Sequence, residues 1–233
     1  MIHRSLPLWL AAFLAVGTAA CDGQDGQAAE NEAAAQQEAP QQQPGEDQAF
    51  DLSAVGYDLG ADDAPVRVIE FSDYGCVHCQ NFHAETYPAI REEFIETGKV
   101  AWKYVPISLA GFPNADRAAG AAHCAGEQDR FFEFSDLVYR DASEWTGAND
   151  PRPVFTALGE EAGLDMDAFS SCLDDGSRLE EVEENSRLAS QIGIRGTPTL
   201  VVNGIPVQGA PPLDQFREAL HEMVEETEAQ GGN

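Results

Sequence analysis

The sequence predicts an α/β domain in which a strand–helix–strand unit is followed by a helical insert, a β-hairpin and a last helix. Residues 66–74 are rich in β-branched and aromatic residues and lead directly into Cys-Val-His-Cys and a helical pattern. A second run with strand character follows at 100–107, and strand signals return at 196–209. Strand, helix and strand in this order imply a right-handed parallel βαβ unit.

The elements around the two cysteines have clear boundaries in the sequence. Residues 66–74 predict a buried strand, and Gly75 allows the chain to turn. Residues 80–95 predict a helix packed on the sheet. Its apolar face carries Phe82, Tyr87, Ile90, Phe94 and Ile95.

The region from about 112 to 192 contains only helical patterns and is predicted to be an insert. The predicted helices cover residues 114–125, 130–139, 153–162, 165–173 and 179–191. We expect Asn114 to cap the first of them. After the insert, residues 199–202 predict a strand and Asn203-Gly204 a hairpin turn, with 205–208 pairing back and an amphipathic helix over 213–227.

Cys76 and Cys79 are the residues from which we expect chemistry. Cys76 would lie at a helix N-terminus, where unpaired N–H groups and the positive end of the helix dipole favour the reactive thiolate. His78 can donate a hydrogen bond or add positive charge. Cys79, one turn along, is placed to close a disulfide with Cys76 and to resolve a mixed disulfide. The spacing therefore predicts a redox pair.

Two cysteines at this spacing could also have other roles. With His78 and His83 they could bind zinc, but no second CxxC or HxxxH cluster supplies further ligands. Gln80 follows Cys79 where haem attachment requires His. A purely structural bridge would close too short a loop to stabilise much. We predict redox chemistry, with no metal and no cofactor.

The N-terminus has the pattern of an export signal. In residues 1–20 a short basic segment precedes an apolar stretch that is too short for a typical transmembrane helix. Thr18 to Cys21 resembles a bacterial lipobox but would also suit an ordinary signal peptidase. Five cysteines leave one unpaired if four form two bridges, and Cys21 is the natural odd one, which favours lipidation there.

Residues 21–49 are poor in apolar residues and predict a flexible tether, although a spacer without function has the same composition. The folded domain is expected over about 50–229. The formal net charge of −28, from 41 acidic and 13 basic residues, argues against nucleic acid or anionic lipid as a direct partner.

Cys124 and Cys172 both fall in the predicted insert. Each could be a buried free thiol, but an exported protein favours a disulfide between them. Neither belongs to a second CxxC, so we assign them a structural role.

With these motifs in view, the chain resembles the DsbA-like thioredoxin-fold oxidoreductases. The resemblance rests on Glu70 six residues before Cys76, on CxxC opening a helix, on the helical insert, and on Gly-Thr-Pro-Thr before a strand, hairpin and helix. It implies a thioredoxin-like fold with an inserted α-helical subdomain. It also implies that Cys76 is the nucleophile and Cys79 the resolving cysteine, that Thr197 and Pro198 form a cis-proline loop that binds substrate, and that Glu70 is a buried acid that helps proton transfer at Cys79.

The family resemblance further implies an activity. Cys124 and Cys172 look like an additional pair found in the insert of some members, whereas Val77 departs from the proline of the best-known oxidase. We expect an exported protein disulfide oxidoreductase, acting as an oxidase on folding proteins that contain cysteines. Reductase or isomerase activity, or a non-enzymatic module that binds a metal or a partner, are the alternatives. A membrane partner would reset the pair, and the protein would be a periplasmic or extracytoplasmic monomer anchored by lipid at Cys21.

Overall fold

The computed structural model describes residues 52–231, and within them five strands form one mixed sheet in the order β1-β3-β2-β4-β5. The strands are β1 (Tyr57–Leu59), β2 (Val66–Ser72), β3 (Val100–Pro106), β4 (Thr199–Val202) and β5 (Ile205–Gln208). β2 and β3 are parallel and the other neighbours are antiparallel, so the predicted parallel unit and closing hairpin are confirmed.

The helices follow the predicted order, except that the short helix α5 was not predicted. They are α1 (Val77–Glu85), α2 (Tyr87–Ile90), α3 (Ala115–Gly126), α4 (Phe131–Arg140), α5 (Ala142–Trp145), α6 (Arg152–Glu161), α7 (Met166–Asp175), α8 (Ser177–Gln191) and α9 (Leu213–Gly231). A π-helical turn, Arg91–Ile95, follows α2. The helices α3 to α8 form the predicted insert. Within residues 52–231, none of the helices combines the length and the apolar character that a membrane span requires.

The predicted continuous helix over 80–95 is wrong in one respect: it is interrupted at Thr86. Pro88 lies two residues later, and a proline cannot donate to the carbonyl four residues before it and clashes with that carbonyl. The predicted apolar face is nevertheless buried, because the three helical segments keep it turned toward the sheet.

Strand β1 was not predicted from the sequence. It pairs antiparallel with the outer edge of β3, with Tyr57 opposite Tyr104. Gly56 precedes it with φ +71°, and a Cβ there would lie 2.2 Å from the carbonyl oxygen of Tyr104. Only glycine fits this approach.

Strand β2 separates two apolar clusters because its side chains alternate between the faces of the sheet. Val66 and Val68 belong to the larger cluster, which includes residues of α1, α3, α4 and α9. Phe71 belongs to the smaller one, with Ala189 and Ile194. Glu70 and Ser72 are completely buried and share the face of Val66 and Val68. Two polar side chains of β2 therefore lie beneath α1.

Asn114 precedes α3 but does not cap it with its side chain. The residue has φ +59°, in the left-handed region that asparagine tolerates. Its side-chain amide instead donates to the backbone carbonyls of Trp145 and Ala148, at 2.9 and 2.8 Å. The predicted cap is wrong, and the side chain joins the start of α3 to the segment after α5.

Candidate active site

Cys76 occupies the N-cap position of α1. Its backbone is extended, with φ −78° and ψ 120°, and its N–H donates to the carbonyl of Asp73 at 3.0 Å. This short turn carries the chain from the end of β2 into the helix. The first turn of α1 contains no acidic residue. The sulfur therefore faces the positive end of the helix dipole without a competing carboxylate in that turn.

Several donors surround the Cys76 sulfur. Hydrogen bonds from the Cys79 thiol, from the side chain of Thr197 and from the backbone N–H groups of Cys79 and His78 lower the pKa of Cys76 to about 5, against the opposing effect of burial. As a thiol, Cys76 donates to the carbonyl oxygen of Thr197 at 3.3 Å. The arrangement favours the thiolate at neutral pH, and a thiolate is the attacking form of cysteine.

Cys79 differs from Cys76 in its surroundings. It is completely buried in the first turn of α1. Burial, together with the hydrogen bond that its thiol donates to Cys76, raises the pKa of Cys79 far above that of an ordinary thiol. The reduced pair thus consists of a thiolate at Cys76 and a thiol at Cys79, both free within the described residues.

This asymmetry predicts a titration curve. In reduced protein, the ultraviolet absorbance of the thiolate should rise with a midpoint near pH 5, and this transition should be absent in Cys76→Ser. Cys79→Ala should move the midpoint upward, because the hydrogen bond from Cys79 is the largest cause of the lowered pKa. A midpoint near 9, the ordinary thiol value, would contradict the described hydrogen bonds.

A chain of buried hydroxyl groups leads away from Cys79. Ser72 forms a side-chain hydrogen bond with the Cys79 sulfur. The Tyr139 hydroxyl donates to Ser72 Oγ at 3.2 Å, and the Tyr139 and Tyr104 hydroxyls lie 2.5 Å apart. We call Ser72, Tyr139 and Tyr104 the hydroxyl chain. Ser72 lowers the pKa of Cys79, so the hydroxyl chain stabilises negative charge on this sulfur when it is the leaving group.

Glu70 lies deeper than the cysteines. Its Oε1 is 2.8 Å from Nε2 of His83, and its Oε2 accepts from the indole N–H of Trp102 at 3.2 Å. The His83 ring stacks on Tyr139, with ring centroids 3.9 Å apart. Glu70 therefore lies behind the hydroxyl chain and is not in hydrogen-bond contact with Cys79, whose side-chain partners among the described residues are Cys76 and Ser72.

His78 contributes mainly through its backbone. Its N–H is one of the groups that stabilise the Cys76 thiolate, whereas its side chain is exposed. Val77 beside it is 57% exposed. The two residues between the cysteines thus present an apolar and an imidazole side chain to solvent, next to the reactive sulfur.

The Thr197–Pro198 peptide bond is cis, and this loop lies against the redox pair. The loop is held by its neighbours: the carbonyl of Pro198 accepts from the N–H of Gly209 at 2.8 Å, and the Thr199 hydroxyl donates to the carbonyl of Gly196 at 2.7 Å. The structure thus brings Thr197 and Cys76 together across 121 residues of sequence.

Cys124 in α3 and Cys172 in α7 form a disulfide with an S–S distance of 2.02 Å. Cys124 is buried and Cys172 half-buried. The bond joins two helices of the insert. Neither cysteine takes part in the hydrogen bonds described around Cys76 and Cys79. Cys21 lies outside the described residues, as do the predicted signal and the whole predicted tether.

Asp73 was not identified from the sequence, although it lies three residues before Cys76. Its side chain is completely buried. One carboxylate oxygen accepts from the N–H of Gly75 at 2.9 Å, and the other has no hydrogen-bond partner among the described residues. The only sequence signal would have been an acidic residue within a predicted buried strand, which was read as extending to residue 74.

Comparison with known proteins assigns the chain to a family. The family model described as thioredoxin matches residues 53–222. A probable disulfide bond formation protein D of Bacillus anthracis is 30% identical over 168 residues, covering 70% of this chain and 75% of the relative. The chain belongs to the thioredoxin family, among its DsbA-like members. The resemblance inferred from the sequence is confirmed.

Two further matches differ more from this chain in length or sequence. A putative protein-disulfide oxidoreductase of Rickettsia bellii is 25% identical over 170 residues, and the match covers 72% of this chain but only 64% of the relative. The crystal structure of Wolbachia pipientis alpha-DsbA1 superposes with a TM-score of 0.67 at 24% identity, covering 75% of this chain and 94% of that one. This structural match confirms the predicted fold, a thioredoxin-like sheet with a helical insert.

Proposed function

We propose that this DsbA-like protein is an exported thiol:disulfide oxidoreductase that donates a disulfide to folding proteins. The observation that carries the proposal is the asymmetry between a Cys76 thiolate at the start of α1 and a buried Cys79 thiol. A stabilised thiolate stabilises the reduced pair, and a pair whose reduced form is stabilised is a strong oxidant. The names of the Bacillus and Rickettsia relatives support this activity.

The reaction begins with the Cys76–Cys79 disulfide. A substrate thiolate attacks the Cys76 sulfur, the bond to Cys79 breaks, and the Cys79 sulfur leaves and takes up a proton. A second thiolate of the substrate then attacks the substrate sulfur of the mixed disulfide. Cys76 leaves as a thiolate, which its low pKa favours. Two electrons pass from two substrate thiols to the pair, and the substrate gains a disulfide.

The same residues support a role in holding the substrate. The carbonyl of Thr197 lies beside the reactive sulfur and would accept a backbone N–H of the substrate once the disulfide has formed. The exposed side chain of Val77, the residue after Cys76, offers apolar contact to the same substrate. We propose that extended segments containing cysteine bind between Val77 and the Thr197–Pro198 loop.

The cellular setting is part of the proposal. The export signal over residues 1–20, the lipidation of Cys21 and the tether over 21–49 would place the domain outside the cytoplasm, near a membrane. The reduced pair would be reoxidised by a membrane partner, since each disulfide donated leaves the pair reduced. We propose that the domain, about residues 50–229, acts as a monomer without a metal or a cofactor.

The deciding experiment is the equilibrium of the Cys76–Cys79 pair with glutathione. We expect a reduction potential near the value of about −120 mV typical of DsbA, because the thiolate is strongly stabilised. A potential near the thioredoxin value of about −270 mV would contradict the oxidase direction and favour a reductase. The Cys124→Ala/Cys172→Ala variant should give the same potential, which would assign the measured transition to the redox pair.

A further inference from the structure

The buried carboxyl group of Asp73 has no part in the reaction described above. It lies directly after β2, with one oxygen bound to the N–H of Gly75 and the other, Oδ2, buried without a hydrogen-bond partner in residues 52–231. A buried carboxylate with an unpaired oxygen is costly. The turn to Cys76 is also closed by a backbone hydrogen bond, from the N–H of Cys76 to the carbonyl of Asp73.

The position of Asp73 relative to the two sulfurs is close and fixed. The N–H of Cys76 donates to the backbone carbonyl of Asp73 at 3.0 Å, which closes the turn over residues 73–76. The backbone of Asp73 also hydrogen-bonds the sulfur of Cys79. The turn therefore holds the carboxyl group next to the redox pair.

The groups that act on this carboxyl are few. Backbone hydrogen bonds come from Gly75 and from Leu109 in the loop after β3, and the charged groups facing it are Cys76 and, from α3, Asp116. Among the described residues no Lys, Arg or His side chain hydrogen-bonds it. Burial first, and then the charges of Cys76 and Asp116, raise the pKa of Asp73 to about 6.

We propose that Asp73 regulates the redox pair by its charge: the carboxylate opposes the thiolate that Cys76 carries after reduction, and protonation of Asp73 removes that opposition. This inference rests on the proposed function, because it concerns the same pair. Reduction of the disulfide takes up two electrons and one proton, leaving the Cys76 thiolate and the Cys79 thiol. Near pH 6 the reduced state also takes up part of a second proton, on Asp73.

The sign follows from linkage. If the thiolate makes Asp73 bind its proton more tightly, protonated Asp73 must stabilise the thiolate to the same extent. As the pH falls through 6, the equilibrium between the oxidised and the reduced pair should therefore shift toward the reduced pair. Its dependence on pH should be steeper there than the uptake of one proton alone requires. The protein would be a stronger oxidant in an acidic compartment.

The first test uses the unaltered protein. We would follow the Asp73 carboxyl by NMR during a pH titration of the oxidised and reduced forms. The expected midpoint is higher in the reduced form by about one unit, the size of shift that a neighbouring like charge produces. Identical midpoints in the two forms would overturn the proposal.

The second test compares Asp73→Asn with Asp116→Asn. In Asp73→Asn the thiolate midpoint of Cys76 should fall by about one unit, and the additional pH dependence of the glutathione equilibrium near pH 6 should disappear. Asp116→Asn should give a smaller shift, because solvent screens this exposed residue. An unchanged thiolate midpoint in Asp73→Asn would overturn the proposal. Neither readout depends on turnover, so the two proposals can fail separately. If Asp73 titrates as expected in a protein that does not exchange disulfides, the result contradicts the proposed function and supports the role of Asp73.

Discussion

Replacing Cys76 with Ser is expected to reduce disulfide exchange to the uncatalysed rate. Cys76 is the sulfur whose thiolate is stabilised, by four hydrogen bonds that come from Cys79, Thr197 and the start of α1. A serine hydroxyl is not ionised at neutral pH and cannot form a mixed disulfide. Oxidation of a reduced model peptide with two cysteines, followed by mass spectrometry, measures this directly. Exchange at the wild-type rate in Cys76→Ser would contradict the proposed function.

Cys79→Ala should have a different consequence. The variant keeps the Cys76 thiolate, which can attack a peptide disulfide and displace one of the two peptide sulfurs as a thiolate. It lacks the Cys79 thiol that would then attack the Cys76 sulfur and release the peptide, so mixed disulfides at Cys76 should accumulate. We expect a protein–peptide adduct that dithiothreitol removes. Cys76→Ser, handled in the same way, is the matched control and should form none. An adduct of equal yield in both variants would show that the reactive sulfur is not Cys76.

The parts of the fold that could be predicted are those with a local signal. Local patterns predict the bounds of several elements to within a few residues. These patterns are the alternation in β2 and β3, the Asn203-Gly204 turn and the apolar face of α9. Strand β1 is only three residues long, and its pairing with β3 is decided by Tyr104, far away in the sequence. The interruption at Thr86 did have a local signal, which is Pro88. The apolar spacing over residues 80–95 nevertheless predicts one continuous helix.

The candidate site likewise contains some residues that a local pattern predicts and others that it does not. CxxC at a helix start is visible in the sequence because its chemistry depends on spacing. The surroundings of Cys79 cannot be predicted from the sequence, since Ser72 comes from β2 and Tyr139 from the insert. The partner of Glu70 is His83, whose position in the sequence suggested only a zinc ligand. Asp73 is buried in the turn after β2, and this turn packs against the start of α3, which no local pattern encodes.

Removing the disulfide of the insert, with Cys124→Ala/Cys172→Ala, should cost the domain a large part of its stability. The two cysteines are 48 residues apart, and for a loop of this length the chain-entropy model gives about 4 kcal/mol. In a domain of this size each kcal/mol lowers the melting temperature by about 2–4 °C, so a fall of roughly 8–16 °C is expected.

Urea denaturation with both proteins in a Cys76→Ser/Cys79→Ser background would measure the difference without a contribution from the redox pair. The m-value should rise in the variant, because the unfolded chain is no longer constrained and exposes more surface. A loss below about 1 kcal/mol with an unchanged m-value would contradict a stabilising role for the bond.

The same substitution also tests how far the insert and the redox pair are coupled. The loop closed by the disulfide contains Tyr139, which binds Ser72 and so reaches the surroundings of Cys79. If the disulfide acts only on the unfolded state, the contacts of Tyr139 in the folded protein persist when the bond is removed. The pH midpoint of the Cys76 thiolate should then stay near 5 in a Cys124→Ala/Cys172→Ala variant that keeps the redox pair. A displaced midpoint would mean that the disulfide also positions α4 against α1, so that the insert contributes to the oxidising strength of the pair.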